Sequence, residues 1–170
     1  KPILLLCPPN IALQWKSEII KFSGSLFKEK DIFIPKSASD VVKGTGVNIV
    51  SYSLLNNLVD KKHIQPAQFG MVIADESHNL KTMGAQKTGA ALPFLKQAPI
   101  AVCLTGTPAT NRPAELYAQV HALLPKVFSN QDNFEVRYCD QRPARFGSAN
   151  AKEAKGATNK EELNTILTGM

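Results

Sequence analysis

Strand-length runs of consecutive apolar residues, each closed by a polar or prolyl turn, constrain this chain more than any other feature. Ile3–Cys7 is such a run and stops at Pro8-Pro9. Residues 71–74 form a second, stopping at Asp75-Glu76, and Ile100–Leu104 a third, stopping at Thr105-Gly106. Residues 31–34 and 47–50 are shorter β-rich runs. A strand that is apolar on both sides is buried on both faces, which marks a parallel sheet rather than a hairpin sheet with one wet face. Between the runs, apolar positions recur every three or four residues. Ile11, Trp15, Ile19 and Phe22 do so behind Asn10, and Leu116, Tyr117, Val120 and Leu124 do so behind Asn111, with Pro113 in the first turn. Residues 85–95 read as a further helix. Alternating strands and helices predict an α/β fold, a parallel β-sheet with helices on both faces.

After Pro125 the pattern changes. Residues 141–156 are polar, rich in Arg, Ala and Gly, and lack periodicity, so they read as loop or insertion. Thr158 and Glu161 have capping-box spacing and predict a helix start there. The chain thus divides into a lobe over residues 1–140 and a polar connection with a capped helix over residues 141–170.

Bulk properties exclude several classes. No apolar run approaches the roughly 20 residues of a membrane-spanning helix. Twenty basic against fourteen acidic residues give +6, which permits contact with a polyanion, but no dense basic block demands it. Cys7, Cys103 and Cys139 are far apart and odd in number, with no C-x-x-C pair, so a zinc site is not expected and a reducing compartment is.

The strongest chemical feature is Asp75-Glu76-Ser77-His78 at the end of an apolar strand. Open α/β sheets bind ligands outside the carboxyl ends of their strands. Adjacent carboxylates repel one another, and a bound cation is the natural compensation. On that reading Asp75 holds Mg²⁺ through its water shell, and Glu76 orients or deprotonates an attacking water. The plain alternative is that Asp75 or Ser77 caps the next helix. Leu104-Thr105-Gly106-Thr107-Pro108 ends the next strand with two hydroxyls and a glycine. It is either an ordinary strand-ending turn or, if the strands are neighbours, a set of donors beside the carboxylates.

Taken together, D-E-S-H, a helix and T-G-T-P resemble motifs II and III of the helicase superfamily-two motors. Leu4-Leu5-Leu6-Cys7-Pro8 followed by Trp15 resembles the Ia region of the SWI/SNF-type ATPases within that superfamily. Ser51-Tyr52-Ser53-Leu54-Leu55 and Leu80-Lys81 fit the same family. Arg112-Pro113-Ala114-Glu115-Leu116-Tyr117, Arg137-Tyr138-Cys139-Asp140 and Gly156-Ala157-Thr158-Asn159 are similar to its annealing-helicase (HARP-type) branch.

The resemblance implies a RecA-like lobe of a DNA-dependent ATPase, with ATP and Mg²⁺ as cofactors and DNA as partner, nuclear in a eukaryote. It places Asp75 and Glu76 in the Mg·ATP site, with His78 beside the phosphates or orienting the loop. Thr105, Gly106 and Thr107 then couple that site to DNA, and Pro8, Ser51 and Tyr52 lie along the DNA track. Ser51 and Tyr52 read equally as a strand-end cap and a packed aromatic, and Trp15 reads as core on the apolar face of its helix.

The family's phosphate loop, G-x-x-x-x-G-K-[ST], has no counterpart in these residues, which contain no Gly-Lys dipeptide. Lys43-Gly44-Thr45-Gly46 has the wrong order to replace it. The expectation is a sheet incomplete at its N-terminal side, with one edge unpaired, in an isolated chain without ATPase activity. A nucleic-acid or protein interaction module that has lost nucleotide chemistry, and an RNA-helicase lobe, are the alternative functions.

Overall fold

The computed structural model describes residues 1–106, 112–144 and 151–169. Five strands, β1 (Ile3–Cys7), β2 (Ile32–Phe33), β3 (Val47–Ser51), β4 (Met71–Asp75) and β5 (Ile100–Leu104), form one sheet in the order β2-β3-β1-β4-β5. Every pairing in it is parallel. Helices α1 (Ala12–Phe22), α2 (Tyr52–Asp60), α3 (Gln86–Gln97) and α4 (Tyr117–Leu123) accompany it. This is the expected α/β architecture, and the strand bounds depart from the sequence expectation by no more than two residues.

The period-two alternation of strands sorts side chains between two cores. Leu4, Leu6, Val50, Val72 and Ala74 point to one face and pack against α2 and α3 through Leu55, Leu58, Leu92, Phe94 and Leu95. Leu5, Cys7, Val47 and Ile49 point to the other face and meet α1 through Ala12, with Trp15 and Ile19 packed partly against them. Leu4, Leu5 and Leu6 are fully buried, and each such side chain contributes about 1.5–3 kcal/mol relative to exposure. Gly46, just before β3, has φ +70°, and a Cβ there would collide with the carbonyl oxygen of Asp31. The second glycine of Lys43-Gly44-Thr45-Gly46 thus serves close packing between chain segments.

β5 is an edge strand whose composition is that of a central one. Its outer side has no partner strand among the described residues, and Ile100 and Leu104 are 54% and 38% exposed.

A third cluster, rich in aromatics, joins α4 to α5 (Gln131–Tyr138) and α6 (Lys160–Thr168), through Tyr117, Phe128, Phe134, Tyr138 and Leu163. Two short strands, β6 (Arg142–Pro143) and β7 (Lys152–Glu153), pair antiparallel inside the segment expected to be loop.

Three local expectations need correction. Asn10 does not cap α1, because a 3₁₀ turn at Pro9–Ile11 intervenes and Ile11 takes the cap position. Phe22 is 72% exposed rather than on the buried face. Thr158 does not close a capping box on α6. Asn159 holds the cap position in a left-handed conformation, and the Thr158 hydroxyl donates instead to the Arg137 carbonyl at 2.7 Å. Asn111 and Thr107 lie outside the described residues.

Candidate functional site

Parallel register brings the candidate residues to one edge. Cys7 lies opposite Ser51, Leu6 opposite Ala74, and Asp75 opposite Leu104. The turns that begin at Pro8, Ser51, Asp75 and Thr105 therefore open at the same carboxyl edge of the sheet, where α/β sheets hold ligands.

The carboxylate turn is built from β4 outward. Asp75 is the last strand residue, and Glu76 turns the chain with φ 50° and ψ 46°. A left-handed conformation outside glycine costs of order 1–3 kcal/mol and needs support from its surroundings. That support comes from Asn79, whose main-chain N–H and side-chain amide both donate to the Glu76 carbonyl, at 3.0 and 2.9 Å. The buried Leu80 anchors the end of the turn in the core.

Asp75 is held at three points. The Glu76 N–H donates to its Oδ1 at 2.9 Å, and the indole N–H of Trp15 donates to its Oδ2 at 2.6 Å. The hydroxyl of Tyr52 donates to its main-chain carbonyl at 2.8 Å. Tyr52 is buried, and burial followed by the nearby Cys103 and Asp75 raises its phenol above the ordinary range, so it remains a donor. Asp75 and Glu76 face a cleft of about 490 Å³, lined also by Ile11, Gln14, Trp15 and Glu18.

His78 ties this turn to the next strand end. Its Nδ1 lies 3.1 Å from Oγ1 of Thr105 and 3.1 Å from Oε2 of Glu76, so one ring nitrogen bridges the two side chains. Gly106 is exposed, and a Cβ there would meet open space. Ser77 turns inward, where its hydroxyl donates to Oε1 of the buried Gln119 on α4 at 2.7 Å.

Pro8 and Ser51 lie on neighbouring strand ends, both half-buried. Ser51 precedes α2 without a side-chain cap on that helix, and its Oγ lies 3.2 Å from that of Ser53. A groove of about 290 Å³ beside them is lined by Pro9, Pro35, Lys36, Ser51 and Ser53. Tyr52 follows the packed-aromatic alternative rather than the DNA-track one, because a side chain only 3% exposed and bonded to Asp75 is not offered to a ligand on the surface.

Sequence reading missed three of these participants. Trp15 packs its ring as expected, yet its polar tip belongs to the carboxylate site. Gln119 carried a signal, a polar residue three positions after Leu116 on an otherwise apolar helix face. Lys36 carried none, since lysine on an exposed turn is ordinary.

Among the described residues no group of three or more His, Cys, Asp or Glu could hold a metal directly. Mg²⁺ does not need one, because it keeps most of its water and is bound through one or two carboxylates. Asp75 and Glu76 side by side on an open cleft fit that requirement.

The sheet and its carboxylate edge define a parallel α/β lobe of the type that binds ligands beyond its strand ends. Residues 1–169 match the SNF2-related domain family, and the chain belongs to it. The chain is 34% identical over 173 residues to the human "DNA annealing helicase and endonuclease ZRANB3", covering 98% of this chain and 16% of that protein. It is 35% identical over 170 residues to the Caenorhabditis elegans "SWI/SNF-related matrix-associated actin-dependent regulator of chromatin subfamily A-like protein 1 homolog", covering 98% of this chain and 23% of that one. The chain thus spans less than a quarter of the length of these relatives. In fold it is similar to the Sulfolobus solfataricus SWI2/SNF2 ATPase core solved in complex with dsDNA. That likeness has a TM-score of 0.71 at 20% identity and covers 99% of this chain and 32% of that one.

Proposed function

We propose that this chain forms the carboxylate-bearing part of the first motor lobe of an ATP-driven DNA translocase that remodels or re-anneals duplex DNA. Residues 1–140 make the lobe, and residues 141–170 lead toward a second one. The observation that carries the reading is the Asp75-Glu76 pair at the end of β4, linked through His78 to Thr105 at the end of β5.

The roles follow from placement. Asp75, already oriented by two donors, presents its carboxylate to the waters of a Mg²⁺ ion. Glu76 stands next to it on the cleft and orients or deprotonates the attacking water. A Mg²⁺ ion held there would supply neutralising charge for a phosphoryl group. His78 and Thr105 transmit changes between the carboxylate turn and the following strand end, and Gly106 and Thr107, next in the sequence, share that coupling role. Pro8 and Ser51 contact the DNA backbone, where an uncapped helix start and short hydroxyls suit phosphate and carry no base information. A nuclear location follows if the source is eukaryotic.

The test is Glu76→Gln in the full-length protein, which keeps shape and removes charge. ATP is expected to bind while DNA-stimulated turnover falls by a factor of about 10³ or more, since positioning and charge carry nearly all of phosphoryl-transfer catalysis. Turnover within about threefold of wild type would return the residue to a structural role.

A further inference from the structure

Two aromatic donors from two different helices converge on one aspartate. Trp15, in the first turn of α1, reaches Oδ2 of Asp75, and Tyr52, the first residue of α2, reaches its main-chain carbonyl. Neither contact is needed for burial alone. Trp15 is half-buried and could leave its N–H to solvent, and a buried phenylalanine would fill the Tyr52 site equally well. Each donor also stands just after one of the two turns assigned above to the DNA backbone. α1 follows the Pro8-Pro9 turn through a single 3₁₀ turn, and Tyr52 follows Ser51 directly.

Rigid side chains with two χ angles pass a backbone shift on rather than absorbing it, and Tyr52 sits where rotation is sterically closed. A shift at the start of α2 therefore displaces the Asp75 carbonyl, and a shift at the start of α1 displaces its carboxylate. The two paths meet at the residue that neighbours Glu76, whose left-handed backbone makes the turn sensitive to where it is held.

From this geometry we infer that Trp15 and Tyr52 are positioning residues that set the Asp75-Glu76 turn according to what occupies the turns after β1 and β3. They are the route by which bound DNA switches the carboxylates into their working placement. The inference rests on the reading that those two turns face DNA.

The experiment uses the full-length protein and the variants Tyr52→Phe, Trp15→Phe, Ser51→Ala and Lys36→Ala. Three quantities are measured on each: duplex affinity by fluorescence anisotropy without nucleotide, ATPase rate with and without saturating duplex, and the melting temperature. Tyr52→Phe is expected to keep duplex affinity within about twofold of wild type, while the ratio of stimulated to unstimulated rate falls roughly fivefold. A fivefold change is what one neutral hydrogen bond made in only one of two states supplies. Trp15→Phe, which keeps an aromatic ring and removes the donor, is expected to lower the same ratio.

If both rates fall together and the ratio stands, the two aromatics only shape the site and the inference fails. The same holds if neither rate moves. If Ser51→Ala and Lys36→Ala combined leave duplex affinity unchanged, the DNA-facing reading fails, and the inference with it. Duplex affinity in the last two variants thus tells the two failures apart.

Discussion

The hydroxyl of Ser77 donates to Oε1 of Gln119 at 2.7 Å, and both side chains are buried. Ser77 lies one residue beyond Glu76, whereas Gln119 belongs to α4, which also supplies Tyr117 and Val120 to the aromatic cluster with α5 and α6. The bond is a buried polar clamp between the carboxylate turn and the helix that carries the aromatic cluster. Gln119→Leu removes the acceptor while keeping side-chain bulk, and is expected to destabilise the protein by about 1–3 kcal/mol, the usual penalty for a stranded buried group. Adding Ser77→Ala is expected to recover part of that loss. Chemical unfolding of the two single variants and the double variant measures the coupling, and strictly additive costs would mean that the two residues act independently.

A second expectation concerns acid. Arg137 donates to both carboxylate oxygens of Glu162, at 2.8 and 2.6 Å, and Tyr138 donates to the same group. These bonds hold the Glu162 carboxyl down at about 2, against an ordinary 4.5. A depressed folded-state value means stability that is fully present above the unfolded value. It fades as pH falls from about 4.5 toward about 2, and is gone below that. The melting temperature of wild type is therefore expected to exceed that of Glu162→Gln at neutral pH by a margin that closes across this window. The margin will be modest because the pair is exposed. A constant offset down to pH 2 would exclude the ion pair as its source.

The thiols make a third case. Burial, and after it the charge of Asp75, pushes Cys7 up to about 12, and burial with Glu135 pushes Cys139 to about 11. Both stay protonated near neutrality and are shielded from reagents, so they behave as small apolar side chains. Thiol titration at pH 8 is expected to be slow in the folded protein and to reach all three cysteines of the sequence on denaturation. Rapid native labelling at Cys7 would show that the end of β1 opens far more readily than its packing implies.

The sheet was legible because a parallel strand buried on both faces leaves an uninterrupted apolar run. Residues 3–7, 71–74 and 100–104 carry that mark with a turn residue at each end. Helix starts were less legible. Asn10, Thr158 and Phe22 obey local rules, yet a 3₁₀ turn, a left-handed Asn159 and a solvent-facing ring decide the outcome through tertiary contacts. Within the site, Asp75 and Glu76 announced themselves by charge at a strand end. The bonds from Trp15 and Tyr52 did not, because a donor reaching across 60 or 23 positions of sequence has no local signature.

The position of β1 has a kinetic consequence. Of the five strands it comes first in chain order yet lies in the middle of the sheet, and its Ile3 pairs with both Val47 and Met71. The five-stranded sheet has no hairpin that could form early from neighbouring residues. Each pairing needs a long crossover to close first, which carries an entropy cost before any contact repays it. As the chain is made, Leu4, Leu5 and Leu6 must wait, apolar and unpaired, until β3 and β4 have been synthesised. Among these five strands the apolar β1 therefore waits longest for its partners, so binding by a chaperone or slow synthesis through residues 8–75 is expected to govern the yield of native protein more than the final stability does.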